Sequence, residues 1–187
     1  MKLWWVLVSI TFTVHLVADA QKRIAFFEEH IDFELSDRYF SVNGIFSFAN
    51  QHSTAQAQSI IFPFATDTRF IDSIRIFNLT TFQAVEFKRL SNAVSFIVQV
   101  PAHDTVDLHL FYRQPAASQN NYIITSTQSW GEPLEKAVYT LTTPATTTIS
   151  SFSYQPDSTV YSQGKRYYYW HKRNFMPEKD FQLIVNQ

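Results

Sequence analysis

The sequence predicts an all-β fold, a two-sheet antiparallel β-sandwich of about ten strands with little helix. Apolar and polar residues alternate with a period of two in one segment after another, whereas a helical period of 3.6 is scarce. Prolines separate many of these segments, at places where a missing backbone donor costs little. The 18 Phe and 9 Tyr supply packing material for a sheet core. Together these observations favour a sandwich.

The first strands are predicted from apolar residues that occur at every second position. Three apolar residues of one parity alternate with acidic ones: Ile31, Phe33 and Leu35. Four apolar residues mark the second strand: Phe40, Val42, Phe46 and Phe48. Gly44 interrupts that second strand, and a glycine inside a strand pattern suggests a bulge or a bend. Two further strands are predicted at residues 59–64 and 71–77.

The clearest alternation lies between residues 94 and 112, on both sides of the turn residues 101–104. Such a pattern is typical of a β-hairpin. Five of its apolar residues are predicted to face the core: Val94, Phe96, Val98, Leu108 and Leu110. Later strands are predicted at residues 122–126, 137–141, 149–154, 166–171 and 181–185. A helix of about one turn is possible at residues 132–136, and the Thr-rich residues 142–151 suggest an exposed loop or edge.

The first twenty residues predict export. Lys2 precedes an apolar stretch of roughly fifteen residues, and Ala18-Asp19-Ala20 closes it, as in a secretory signal peptide. The predicted cleavage before Gln21 leaves one β-sandwich domain over residues 21–187. The alternative is a membrane anchor, which usually needs about 20 consecutive apolar residues. Because polar residues interrupt this stretch, we expect cleavage, no stable membrane span afterwards, and a periplasmic or extracellular location.

Composition excludes several classes of function. The formal net charge is -1, so there is no electrostatic reason to expect a nucleic-acid partner. The chain has no cysteine, which removes disulfides, thiolate zinc sites and cysteine nucleophiles. Its 3 glycines leave little room for a phosphate-binding loop. The sequence therefore predicts no cofactor.

His103, Asp107 and His109 are the candidate metal ligands. On a strand, Asp107 and His109 point to the same face, and His103 lies in the preceding turn, so that the three side chains can converge. The same alternation also describes a solvated polar face opposite a buried apolar one. Because no fourth ligand can be named, the polar face is the favoured interpretation and no metal site is predicted.

Four carboxylates near the start of the domain are candidates for acid and base catalysis: Glu28, Glu29, Asp32 and Glu34. Glycosidases pair two carboxylates about 5 to 10 Å apart, and Asp32 and Glu34 on one strand face meet that spacing. Almost any solvent-facing strand offers such a pair, however, and no Gly-x-Ser-x-Gly nucleophile motif is present. The sequence therefore predicts a non-enzyme without catalytic residues.

The aromatic run Tyr167, Tyr168, Tyr169 and Trp170 is the candidate binding site. On a strand, Tyr167 and Tyr169 lie on one face and Tyr168 and Trp170 on the other. A sandwich core takes only one of these faces, so the other is exposed, covered by a loop or used for binding. Exposed aromatic platforms stack on sugar rings and anchor protein partners.

Two stretches carry a family resemblance: residues 122–134, Tyr-Ile-Ile-Thr-Ser-Thr-Gln-Ser-Trp-Gly-Glu-Pro-Leu, and residues 174–181, Asn-Phe-Met-Pro-Glu-Lys-Asp-Phe. They resemble motifs of uncharacterised extracytoplasmic β-sandwich domains of bacteria. The resemblance implies an exported recognition or scaffold module and assigns no catalytic residue. Trp130 and Pro133 are expected to plug one end of the sandwich, and Asp180 to accept backbone hydrogen bonds in the turn after Pro177.

These observations predict an exported, non-catalytic binding or scaffold module that acts by protein–protein recognition at the cell envelope or surface. A carbohydrate-binding module that uses the aromatic strand face is the alternative. A secreted hydrolase is the third hypothesis. Exposure of the aromatic row distinguishes the first two, and a pocket that gathers polar groups with perturbed pKa values supports the third.

Overall fold

The computed structural model describes residues 24–186, which form two packed layers of β-structure. Fourteen strands lie within this range: β1 (Ala25–Leu35), β2 (Tyr39–Ala49), β3 (Gln56–Pro63), β4 (Asp72–Asn78), β5 (Gln83–Ala84), β6 (Lys88–Arg89), β7 (Ala93–Val100), β8 (Thr105–Pro115), β9 (Gln119–Tyr122), β10 (Leu134–Pro144), β11 (Ile149–Phe152), β12 (Ser158–Ser162), β13 (Lys165–Phe175) and β14 (Phe181–Val185). Two short 3-10 helices span Thr68–Phe70 and Thr125–Trp130. The prediction of an all-β fold is confirmed.

The predicted signal peptide and its cleavage site before Gln21 lie outside the described residues. Between residues 24 and 186, neither of the two 3-10 helices approaches the length and apolar character that a helical membrane span requires.

One layer is an eight-stranded sheet in the order β12-β13-β10-β1-β2-β8-β4-β5. The second layer is divided into two three-stranded sheets, β11-β14-β9 and β3-β7-β6. The predicted antiparallel β-sandwich of about ten strands therefore differs from the structure in detail, because there are fourteen described strands, the large sheet is mixed and the second layer is divided. Strands β1 and β10 pair in parallel, because the chain between them first builds β2 to β9 and returns to β1 by a long crossover, as parallel pairing requires.

Aromatic rings join the two layers. The ring of Phe33, on the inner face of the large sheet, stacks on Phe181 of β14 with centroids 4.5 Å apart. The same ring meets Tyr122 of β9 edge-on at 5.3 Å. Phe62 of β3 in turn lies 5.5 Å from Phe46 of β2. Such ring pairs add to the burial of apolar area, which stabilises a fold that has no disulfides.

The predicted hairpin at residues 94–112 is wrong, although its five predicted core residues are all buried. Strand β7 pairs with β3 and β6, whereas β8 pairs with β2 and β4 in the opposite layer. The turn between them is therefore an arch across the core. The buried Asn50 side chain holds this arch, since its Nδ2 donates to the carbonyls of Val100 at 3.1 Å and Pro101 at 2.8 Å. Alternation identifies the buried face but not the pairing partner.

Gly44 does not mark a bulge, because the pairing of β1 with β2 runs through it without a shift. Its role is close packing. A Cβ atom at this position would lie 2.7 Å from Cε2 of Phe46 and 2.8 Å from Cδ1 of Ile31. The register shift of this strand pair lies instead in β1, between Phe26 and Glu28.

Three further predictions differ from the structure. The strand predicted at residues 122–126 ends at Tyr122, and the second 3-10 helix follows. Residues 134–136 of the possible helix at 132–136 are the start of β10, and residues 142–144 of the predicted loop also belong to that strand. The side chain of Asp180 explains the early end of β9. It accepts hydrogen bonds from the Thr125 backbone N–H at 3.0 Å and the Thr125 hydroxyl at 2.6 Å, which fixes the chain in a turn.

Candidate functional site

A cavity of about 360 Å³ lies where the second layer is divided. Its floor is the inner face of the large sheet, formed by residues of β1, β2, β4 and β8: Phe26, Glu29, Phe46, Phe48, Ile76, Leu108 and Leu110. Residues 58–63 of β3 form one wall, and residues 122–124 with the second 3-10 helix form the other. Ser59, Ile61 and Ser129 are exposed and form the rim. We call this cavity the interlayer pocket.

Aromatic side chains make the interlayer pocket mainly apolar. The Trp130 ring packs 5.7 Å from Phe26 and 5.6 Å from Phe48, which places it against the floor. Trp130, which was expected to plug one end of the sandwich, therefore forms part of a wall of this pocket. The volume of the interlayer pocket lies in the usual range for ligand sites, and its apolar lining suits a small apolar group.

One carboxyl group lies in this apolar surrounding. Glu29 is 2% exposed and lines the floor. The Tyr139 hydroxyl donates a hydrogen bond to its Oε1, and this is the one donor to the Glu29 side chain within residues 24–186. Burial raises the pKa of Glu29 to about 7, and the hydrogen bond from Tyr139 opposes that rise. The carboxyl group therefore changes charge near neutral pH, where small changes in surroundings alter its protonation.

Two tyrosines face Glu29. Burial is the main cause that raises the pKa of Tyr139 and of Tyr122 well above the ordinary value, and the nearby Glu29 carboxyl adds to it. Both hydroxyls are therefore neutral at physiological pH. Among the described residues that line the interlayer pocket, only Glu29 and Tyr122 titrate.

Sequence reasoning included Glu29 among the acidic residues but missed that it points inward. A signal was available, since Glu29 shares its parity with Ile31, Phe33 and Leu35, all of which are buried. The register shift in β1 then lets Phe26 face the core as well. Bulges of this kind often re-aim side chains near functional sites.

The other three acidic candidates lie on the outer face of the large sheet. Glu28 pairs with Lys136 at 2.5 Å, Glu34 with Lys165 at 3.5 Å, and Asp32 lies 3.5 Å from the His30 ring. The sheet separates these residues from Glu29. The structure therefore does not bring the four carboxylates together.

Two of the three candidate metal ligands, Asp107 and His109, also lie on the outer face of the large sheet. Asp107 accepts a hydrogen bond from the Ser47 hydroxyl at 2.7 Å, and the His109 ring contacts Oδ1 of Asn43. His103 lies in the arch between β7 and β8. Among residues 24–186, no three His, Cys, Asp or Glu side chains are grouped in a way that suits a metal ion.

The aromatic run lies in β13 and divides by parity. Tyr168 and Trp170 are buried, and Phe152 of β11 covers both, with ring centroids 5.0 and 5.5 Å away. Tyr167 and Tyr169 are half-buried on the outer face. A binding role for this run stays a prediction, and only its outer pair is available for it.

The two stretches that carry the family resemblance come together beside the interlayer pocket. Asp180 does accept a backbone hydrogen bond, but the donor is Thr125 in the other stretch and not the turn after Pro177. Nε2 of Gln128 donates to the Pro177 carbonyl at 2.7 Å. The segment that ends in Trp130 is therefore fastened to the residues that precede β14.

Comparison with known proteins shows similarity of fold. No protein-family model matches the sequence, and no curated protein matches it. A candidate nutrient-binding protein from Legionella pneumophila is similar over 88% of this chain and 67% of its own, at 16% identity and a TM-score of 0.69. An M1 zinc metallopeptidase from Deinococcus radiodurans is similar over 88% of this chain and 42% of its own, at 11% identity and a TM-score of 0.54. Yeast LTA4 hydrolase matches over 87% of this chain and 29% of its own, at 9% identity and a TM-score of 0.51.

The chain thus spans less than half the length of the two enzymes that it resembles. At these identities, the likeness concerns the fold of the shared region. A two-layer β-structure of this kind occurs both in a candidate binding protein and as part of larger hydrolases.

Proposed function

We propose that the chain is a non-catalytic binding module that recognises another protein and holds an apolar group of it in the interlayer pocket. The observation that carries this proposal is the pocket itself, which has an aromatic lining and a rim exposed between β3 and the second 3-10 helix. Such a pocket offers the anchor site on which recognition of a partner usually depends. The likeness to a candidate nutrient-binding protein supports a binding role.

The composition of the pocket favours binding over catalysis. Glu29 is the one carboxylate among the described residues that line it, and no histidine lines it with Glu29. General acid and base catalysis usually needs two groups with separate roles. A hydrolase site would need a second group that this set of residues does not supply.

We also propose that the module is exported and acts at the cell envelope or surface, after removal of residues 1–20. The apolar stretch and the Ala-Asp-Ala sequence that closes it support this proposal. Intact-mass measurement of the protein from the extracytoplasmic fraction should show a chain that begins at Gln21. Retention of residues 1–20 in that fraction would contradict it.

Phenylbutanol, a neutral probe with an apolar body, tests the pocket. We expect it to shift the methyl NMR signals of Ile60 and Ile124, which line the pocket on opposite walls. Gln58 lines the pocket and Gln56 does not, although both lie on β3 with the same parity. The variant Gln58→Trp should fill the space and abolish the shifts, while the matched control Gln56→Trp should retain them. Equal loss in both variants, or no shifts in the wild-type chain, would contradict the proposal.

A further inference from the structure

The Glu29 carboxyl group lies among apolar residues, and none of the described cationic side chains pairs with it. Its outer-face neighbours Glu28 and Glu34 each have a lysine partner, whereas no Lys, Arg or His nitrogen of residues 24–186 pairs with Glu29. Burying a carboxylate without an opposite charge is costly, which is why such groups are usually paired. Apart from its Tyr139 hydrogen bond, the charged form of Glu29 therefore lacks a partner in this part of the chain, and its side chain lines a pocket with an exposed rim.

The position of the carboxyl group sets the order of groups that a ligand must present. Glu29 belongs to the floor, whereas Ile60, Phe62 and Ile124 belong to the walls that lead to it. A ligand that enters from the rim meets apolar walls along its length and a carboxyl group at its leading end. The complementary shape is an apolar body that ends in a hydrogen-bond donor with positive charge.

Resting on the function proposed above, we propose that the group bound in the interlayer pocket is a primary ammonium at the end of an apolar body, and that Glu29 selects it. An ammonium is compact and carries three donors, so it can bond the carboxylate while the hydroxyl of Tyr139 keeps its own bond. The opposite charges attract more strongly in a buried, mainly apolar site than in water, which offsets the cost of removing both from solvent.

Two sources supply this chemistry: a lysine side chain of a protein partner, whose four-carbon stem is the apolar body, and a free alkyl or arylalkyl amine. The aromatic floor residues Phe46 and Phe48 accept either body. The function proposed above favours the lysine. Two pairs of probes distinguish the sources, and each pair differs in the ammonium alone.

The first pair of probes is phenylbutylamine and phenylbutanol. The second pair is the capped peptide Leu-Lys-Leu and the same peptide with norleucine in place of the lysine. Binding to the full chain is followed through the methyl signals of Ile60 and Ile124 at pH 5.5 and pH 8.5. Aliphatic amines stay protonated at both values, since the ordinary pKa of lysine is about 10.4.

Among the described residues at the interlayer pocket, Glu29 should be the group that changes charge between these two pH values. Tyr139 of β10 and Tyr122 of β9 face it, and both stay neutral because their pKa values are raised. Residues of β2, β3 and the second 3-10 helix that line the pocket do not titrate. With a pKa of about 7, the ionised fraction of Glu29 falls roughly 30-fold from pH 8.5 to pH 5.5. The affinity for the ammonium should fall by a similar factor, and that for the neutral probe should not.

Two variants assign the preference to Glu29. In Glu29→Gln, the ammonium should lose its advantage over the neutral probe at pH 8.5, while the neutral probe still binds. In the matched control Glu28→Gln, the altered side chain lies on the opposite face of the same strand, so the preference should persist. A preference limited to phenylbutylamine supports a free amine, and one that includes the lysine peptide supports a protein partner.

Equal affinity for the ammonium and neutral probes at pH 8.5 in the wild-type chain would overturn this inference and leave the pocket as a binding site. A preference that survives Glu29→Gln would also overturn it. If no probe perturbs Ile60 or Ile124, both this inference and the function proposed above fail.

Discussion

The carboxyl group of Glu29 stays protonated in the folded chain over a pH range in which the unfolded chain ionises it. Its ordinary pKa is 4.5, and burial raises the pKa in the folded chain to about 7. Below pH 4.5 the group is neutral in both the folded and the unfolded chain, so it does not lower the stability of the fold. Between pH 4.5 and 7 the unfolded chain releases the proton first, so stability falls as pH rises, and above pH 7 the loss is complete. The loss is roughly 3 kcal/mol, because one pKa unit corresponds to about 1.4 kcal/mol.

Replacing Glu29 with Gln tests this dependence, since the amide has nearly the shape of the protonated carboxyl group. The free energy of unfolding in urea should be similar for the wild type and Glu29→Gln near pH 4.5. At pH 8 the variant should be more stable by roughly 3 kcal/mol. The control Glu28→Gln loses a partly exposed ion pair with Lys136, so it should show only a small change at pH 8, about 1 kcal/mol or less. Parallel pH profiles of the wild type and Glu29→Gln would contradict the account.

For single residues, the alternation in the sequence predicts which positions are buried, but it does not decide whether a charged residue at such a position is buried too. Parity correctly placed Phe96 and Leu110 in the core, and it also places Glu29 there. A carboxylate interrupts an apolar pattern. The sequence alone is therefore as compatible with an exposed Glu29, like the other acidic residues, as with a buried one. The structure resolves the conflict because the inner face of β1 is continuous from Glu29 to Leu35.

For whole strands, the alternation of apolar and polar residues determines which face of a strand is buried, but it does not determine with which strand it pairs. Strands β7 and β8 show the same alternation that a hairpin would show, yet they belong to different layers. Alternating side chains on two facing strands of an arch point at each other across the core, which gives the same sequence pattern. The deciding contact is Asn50, whose side chain bonds the carbonyls of Val100 and Pro101 from a distant loop. No local pattern encodes such a contact.

Strand β13 allows the carbohydrate alternative to be tested by face. The double variant Tyr168→Ala with Trp170→Ala removes two buried rings and should unfold the domain, since each such truncation costs about 3 to 5 kcal/mol. The double variant Tyr167→Ala with Tyr169→Ala changes only the outer face and should stay folded. Circular dichroism measures both outcomes.

Binding then separates the hypotheses for the folded outer-face variant. If the outer face of β13 is the carbohydrate platform, the variant should lose capture on polysaccharide resins that retain the wild type. If the interlayer pocket is the binding site, phenylbutanol should bind the variant as it binds the wild type. Unfolding of both double variants would show that Tyr167 and Tyr169 are structural.

At the scale of the molecule, the interlayer pocket arises from the division of the second layer. The sequence predicts the strands of that layer, but the gap between β3 and β9 depends on two sheets that form from distant segments. The parallel pairing of β1 with β10 has the same origin, because it joins residues more than a hundred positions apart, such as Glu28 and Lys136. Sequence periodicity carries no information on contacts of this range, so the site could not be predicted although most of its residues were assigned to strands.

Ring contacts connect the two halves of the divided layer with each other and with the large sheet. Phe62 of β3 lies 6.3 Å from Tyr122 of β9, and Phe33 of the large sheet contacts both Tyr122 and Phe181. The buried residues of both small sheets belong to one continuous core cluster with those of the large sheet. Unfolding of one small sheet would therefore expose aromatic rings against which the other small sheet packs.

We predict that the two halves of the divided layer unfold together. Trp130 reports on the interlayer pocket and Trp170 on the region under β11 and β14, where its ring lies 5.5 Å from Phe152. In a chain without residues 1–20, Trp130→Phe and Trp170→Phe each leave one tryptophan. For each variant, the urea midpoint from fluorescence should equal the midpoint from far-ultraviolet circular dichroism, as a two-state transition requires. If the Trp130 signal changes at lower urea than the circular dichroism of the same variant, the pocket side opens first, and the two small sheets are separate cooperative units.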